Sequence, residues 1–272
     1  MQLAKNKQIL IGGGIILVFV VIAIFAPQIS PRDYWRQDLR ASLSPPGAKY
    51  LFGADEFGRD IFSRAIYGTR VSLIAALGSA GLASVFGLTL GLLAGYYGGA
   101  IDRIIQSGID VAWSFPTVVL AIVIASTTKP GLGSVIIAIA AVYWAQYARV
   151  IRGEVVSARE EEYIVAARAC GCSHVWIMTR HILPNVMAPV IVMISITTGY
   201  AILLEATLSF LGVGVQPPTP SWGIILSEGR AFMSSAPWIT IFPGVIITVA
   251  VLGFNFLGDG LRDYFDPYMK RL

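Results

Sequence analysis

The two cysteines and two histidines of the chain all fall between positions 170 and 181, as Cys170-x-Cys172-x-His174 followed by His181. Thiolate and imidazole suit a zinc ion, but one residue between the cysteines is tighter than the usual two to four, and no nearby acid would orient the ligands. The same spacing forbids an unstrained disulfide. No bound metal is expected, and small, soft and ring side chains in such a segment serve packing. Glu205 stands beside Thr207 and Ser209 with neither a histidine nor a nucleophile elbow near it, so hydrogen bonding fits it better than acid–base catalysis. No G-x-x-x-x-G-K-[ST] phosphate loop occurs, and the chain is not expected to hold ATP or any cofactor itself. Recognition and movement, rather than bond-making, remain.

The elements that position these residues follow from composition. Of 272 residues, 56% are hydrophobic and only 13% charged, with a mean hydropathy of +0.70. Soluble domains carry about 25% charged residues. The net charge of +4 is spread through short loops and not along one stripe, which argues against a nucleic-acid partner. Membrane lipid is the expected surrounding. A hydrocarbon core of ~30 Å needs roughly 20 helical residues. Six uncharged runs approach or exceed that length: Gln8–Ala26, Val71–Tyr97, Val111–Thr128, Gly131–Ala148, Ile182–Leu204 and Ala236–Leu257. The expected fold is all-α, a polytopic bundle of six spans, because a backbone in lipid must satisfy its own hydrogen bonds. The first run is too long for a signal-peptide core, and Phe25-Ala26-Pro27 makes a poor cleavage site. Lysine and arginine placement gives a weak orientation signal: eleven fall on one side and nine on the other, seven of those nine between Arg32 and Arg70. Lys5, Lys7, the 149–180 segment and the C-terminal Arg262, Lys270 and Arg271 share one side, which reads as cytoplasmic with both termini inside.

Between the runs, Pro27–Pro46 reads as an extended external connection. Leu51–Arg70 shows helical spacing of Phe57, Ile61, Phe62, Ala65 and Ile66, which predicts an amphipathic helix lying at the outer interface. In the second run Ala75, Ser79, Ala83, Gly87, Gly91, Gly95 and Gly99 recur every four residues, a ridge of small side chains suited to close helix packing, with Gly87, Gly91 and Gly95 at its centre. From Ser209 to Trp222, glycines and prolines forbid a continued helix while Phe210, Leu211, Val213 and Trp222 need burial. A folded external structure is expected, with Glu205, Phe210, Gly212, Gln216, Pro218 and Trp222 as its residues, which the resemblance described below makes a cap over the outer mouth of a pathway. The largest charged interruption is 149–185. There Glu160–Ala169 favours helix, Gly171 allows a left-handed turn, Ser173 caps a second short helix, and Pro184 follows. Two short helices fixed to spans on both sides form a lever that a moving partner could push.

This segment resembles the permease subunits of ATP-binding-cassette importers, whose last cytoplasmic loop carries Glu-Ala-Ala, three residues, Gly, nine residues and Ile-x-Leu-Pro. The matching positions are Val165, Ala166, Ala167, Gly171, His181, Leu183 and Pro184, with departures at Val165 and His181. Further blocks resemble the dipeptide, oligopeptide and nickel permeases, in particular their second-type subunit: Leu51–Leu73, Ser114–Ile124, Tyr147–Glu154, Glu205–Gly223 and Gly258–Pro267. Met1–Pro46 contributes no specific block.

The resemblance implies a type I importer permease fold, divided into residues 1–70 (tail, first span, external amphipathic segment) and a core permease domain, 71–272, that contains the coupling loop. It implies that Ala166, Ala167 and Gly171 dock on an ATPase while Leu183 and Pro184 set the return to the membrane. The implied partners are a second homologous permease, two cytoplasmic ATPase subunits that bind ATP and magnesium, and an extracytoplasmic solute-binding protein. The implied cargo is a dipeptide or oligopeptide, with nickel or another small solute as alternative. A gradient-driven carrier acting alone is the competing class.

Overall fold

A computed structural model describes residues 6–265; Lys5, Lys270, Arg271 and the final Asp266-Pro267 of the last matching block lie outside them. Among the described residues the chain is helical, and its one extended pairing is an isolated bridge between Ala54 and Asp60. Helix α1 (Lys7–Ile24) starts at Asn6, whose side chain accepts from the Gln8 amide at 2.9 Å, and a short α2 (Ala26–Ile29) follows. The end of the bundle that carries residues 30–60 is termed upper. Helix α3 (Ile61–Tyr97) descends, α4 (Gly99–Trp113) and α5 (Thr117–Ser126) return, and α6 (Leu132–Ala158) descends again. At the lower end lie α7 (Glu162–Ala169) and α8 (His174–Ile177). Helix α9 (Leu183–Phe210) ascends, α10 (Trp222–Gly229) sits at the upper end, and α11 (Trp238–Phe265) descends.

Five helices are long and apolar enough to cross a membrane, and α4 with α5 makes a sixth crossing if the bent pair counts as one. Three differences from the sequence expectation have physical causes. The run Val111–Thr128 is not one helix: α4 and α5 meet at 95° because Pro116 bars helical continuation and keeps Phe115 out of the α region. Leu51–Arg70 is not an interfacial helix either. Gly53 and Gly58, at φ of +79° and +69°, fold residues 51–60 into a compact loop, and Asp60 caps a helix that runs from Ile61 unbroken into the span. Its polar positions, Arg59 and Arg64, turn inward. Pro184, finally, does not delimit a helix. A π turn at Met178–Ile182 absorbs it, so His174–Phe210 forms one continuous 37-residue rod.

The bundle is held by close helix approach. The α3 ridge faces α6: a Cβ on Gly91 would stand 2.8 Å from the Ala148 carbonyl, and one on Gly95 2.7 Å from Val155 Cβ. A Cβ on Gly87 would overlap Tyr147 and stand 2.7 Å from the Trp144 carbonyl. In lipid, where apolar burial supplies little drive between helices, such backbone proximity lets dispersion act over the whole contact. Helix α1 is held against α11 the same way, with Gly12 over Gly253 and Leu257, and Gly260 against Ile9.

Candidate functional site

The lower segment is built on its capping chemistry. Helix α7 ends in a Schellman motif: Cys172 N–H donates to the Ala167 carbonyl at 3.1 Å and Gly171 N–H to Arg168 at 3.1 Å, with Gly171 at φ +80°. Only glycine adopts that conformation cheaply. Ser173 then caps α8 by accepting from Trp176 N–H at 3.3 Å. The two helices pin themselves to the bundle through Ile164, Ile177 and Ile182, all fully buried in a cluster with Tyr147, Ile151 and Val155. Polar contacts add to this. Tyr96 OH and His174 Nδ1 lie 2.8 Å apart, Arg168 sits over the Tyr96 ring at 5.8 Å, and Arg159 donates to the Gly95 carbonyl at 3.0 Å. Facing away from the bundle are Val165, Ala166, Cys170 and Gly171, exposed, with Ala167 half-buried beside them. Leu183 is half-buried against the same cluster, and Pro184 is exposed at the foot of α9. The segment thus presents a small-residue surface on a support tied to the lower ends of α3 and α6.

The cysteines and histidines do not converge. Among the described residues no three metal-ligating side chains come together. His174 is turned to Tyr96, while His181 packs edge-on against Trp176 at 4.6 Å.

At the upper end, the residues expected in a cap separate into two layers. Gly212, Gln216 and Pro218 are exposed, and Gln216 Nε2 donates to the Gly212 and Gly214 carbonyls, each at 3.1 Å. Phe210 is half-buried, with Arg230 over its ring at 5.5 Å. Glu205 and Trp222 lie underneath, with no exposed surface. The apolar run that ends at Leu204 understates the helix, which continues to Phe210 and carries Glu205 inside it. Glu205 Oε2 accepts from Ser72 Oγ at 3.0 Å and Oε1 from Ser209 Oγ at 2.8 Å; Ser72 Oγ in turn accepts from Trp222 N–H at 3.3 Å. The Trp222 indole donates to the Ala65 carbonyl at 3.2 Å and meets Phe19 edge-on. One carboxylate therefore joins α3, α9 and the start of α10.

A second knot lies beside it. Arg64, 2% exposed, reaches Asp55 and Glu228 with one nitrogen, each at 2.5 Å, and Arg59 Nε bonds Asp55 at 2.6 Å. These pairs lock the 51–60 loop to α3 and α10. At the rim, burial first, then the charges of Glu228 and Asp55, push the Glu56 carboxyl above its ordinary range. The sequence reading missed Arg64 and Glu228 as partners, since 164 residues separate them.

The fold and its segment define a membrane permease component. Residues 87–271 match the family described as binding-protein-dependent transport system inner membrane component, and residues 1–46 match the N-terminal TM domain of oligopeptide transport permease C. The second match shows that Met1–Pro46 does carry family information. The chain is 48% identical over 269 residues to the dipeptide transport system permease protein DppC of Alkalihalophilus pseudofirmus, covering 99% of this chain and 88% of that protein. It is 35% identical to the oligopeptide transport system permease protein OppC of Bacillus subtilis, covering 100% and 89%. A solved structure of the MetNI methionine ABC transporter in inward-facing conformations shares the fold, with a TM-score of 0.59 and 20% identity over 76% of this chain and 97% of that one. The chain belongs to the binding-protein-dependent transport system inner membrane component family. It is a multi-pass inner-membrane permease subunit of an ABC importer, without catalytic activity of its own.

Proposed function

We propose that the chain forms, with a second homologous permease, the translocation pathway for dipeptides or oligopeptides in an importer driven by two cytoplasmic ATPases and fed by an extracytoplasmic solute-binding protein. The observation that carries this reading is the small-residue surface of exposed Ala166 and Gly171 with half-buried Ala167 on a braced helix–turn–helix, in a chain nearly half identical to a dipeptide permease along its full length. The lower end is then cytoplasmic, with both termini, and the 211–222 segment faces the binding protein. ATP and magnesium reside on the ATPases, whose ATP-bound form must bind the outward conformation better than the inward one for the segment to move anything. Residues 71–272 act as the core permease and residues 1–70 as an added anchor and outer collar. The relatives' names favour peptide over nickel as cargo.

The test is uptake into proteoliposomes holding the complete assembly. Uptake should require ATP and the binding protein. Ala166→Arg should abolish it while leaving the protein's melting temperature unmoved, because the added side chain lands on an exposed surface. Solute movement by this chain alone, or full uptake by Ala166→Arg, would refute the reading.

A further inference from the structure

The bend between α4 and α5 encloses an open cleft of about 290 Å³ against α6, and its walls include Trp113, Phe115, Tyr143 and Gln146. Gln146 is exposed. It lies within the uncharged stretch 131–148, two residues above its lower end and three before Arg149. An amide side chain inside that stretch faces lipid only at a cost, which favours water or a polar molecule on this side of the helix. An ion pair on the same side repeats the point. Arg149 sits over the Trp113 ring at 3.8 Å and donates to Asp110 at 2.9 Å, and both charged side chains remain open to solvent.

We propose that this cleft is the chain's share of a peptide-binding site within the translocation pathway. The chemistry matches a short zwitterionic peptide. A glutamine amide offers both donors and an acceptor, which a peptide bond can meet in either direction. Trp113, Phe115 and Tyr143 give apolar faces that accept side chains without selecting one. The Arg149–Asp110 pair, joined to the cleft through Trp113, offers one charge of each sign, the complement of a peptide's two termini. The cleft falls at the small end of ligand pockets, as expected for one wall of a site closed by a second permease.

The inference rests on the importer reading, and the experiment separates the two. The assembly is reconstituted with binding protein and ATP, and radiolabelled dipeptides are screened for one that the wild type transports. Photo-reactive benzoylphenylalanine placed at position 146 should then capture that dipeptide under turnover, and the same residue at Ile137, exposed elsewhere on α6, should not. In parallel, Gln146→Leu should transport about fivefold less peptide per ATP hydrolysed, the loss of roughly one hydrogen bond, while Gln146→Asn retains most of it. Capture of lipid and no dipeptide by position 146, or an unchanged peptide-to-ATP ratio in Gln146→Leu, would overturn the site and leave the importer standing. A wild-type assembly that moves no dipeptide would overturn both.

Discussion

The contact between α3 and α6 sets a sharp expectation for Gly91→Ala. The new Cβ would lie 2.8 Å from the Ala148 carbonyl oxygen and 2.9 Å from Ile151 Cβ, where comfortable separations are about 3.5–4.0 Å. The carbonyl belongs to the α6 backbone, so no rotamer change relieves it and the helices must part by roughly 0.5–1 Å. Overpacking of this kind costs about 1–3 kcal/mol, against which alanine recovers about 0.5–1 kcal/mol of helix propensity. The net expectation is a loss of up to about 2.5 kcal/mol. Gly81 supplies the control: it lies in the same helix with no atom within 4 Å of its Cβ position, so Gly81→Ala should show the propensity gain alone. Fluorescence-detected size-exclusion melting of the detergent-solubilised importer compares the two, with Gly91→Ala expected several degrees below wild type and Gly81→Ala at or above it. If Gly91→Ala melts as high as Gly81→Ala, the close approach does not exist as described. Ile151→Val should not rescue Gly91→Ala, because the carbonyl remains.

Further outcomes follow from the two upper knots. Arg64→Met leaves Glu228 facing Asp55 with only Arg59 between them, and should cost about 3 kcal/mol in the same melting assay, part of it restored by adding Glu228→Gln. Glu205→Ala orphans the Ser72 and Ser209 hydroxyls and should destabilise by about 2–3 kcal/mol, whereas Glu205→Gln, which keeps an acceptor, should lose less than half as much. Glu56 behaves in the opposite sense. Its carboxyl sits above its ordinary range in the folded chain, so its ionisation opposes folding at neutral pH and the penalty fades as pH falls toward its unfolded value of about 4.3. Glu56→Gln should therefore melt no lower than wild type at pH 7, with the difference closing near pH 4; a variant that melts lower at pH 7 would contradict this.

Much of the fold was legible because lipid enforces long uncharged helices, and five of the six apolar runs lie on unbroken ones. The lower segment was legible for a local reason: Gly171 and Ser173 dictate a Schellman stop and an N-cap from their own backbone needs, without reference to distant residues. What stayed hidden depends on long-range partners. Arg59 and Arg64 read as the polar face of an amphipathic helix until Glu228 is folded beside them, and Glu205 reads as a span terminus until Ser72 and Trp222 close over it. The 95° bend was marked by Pro116, but hydropathy weighs proline too little to divide the run around it. Gln146 differs again, since its place in a cleft appears only once the α4–α5 bend is folded against α6.

The Glu205 knot has a consequence for building hybrids. Its acceptor and one of its donors, Ser72, come from stretches of chain 133 residues apart, and the Trp222 amide that completes it comes from a third stretch. A chimera that takes its C-terminal half from a relative lacking a carboxylate at the position of Glu205, while keeping Ser72, would bury a hydroxyl with nothing to receive its proton. Segment exchange among such permeases must therefore carry the two positions as a unit, wherever the splice falls between them.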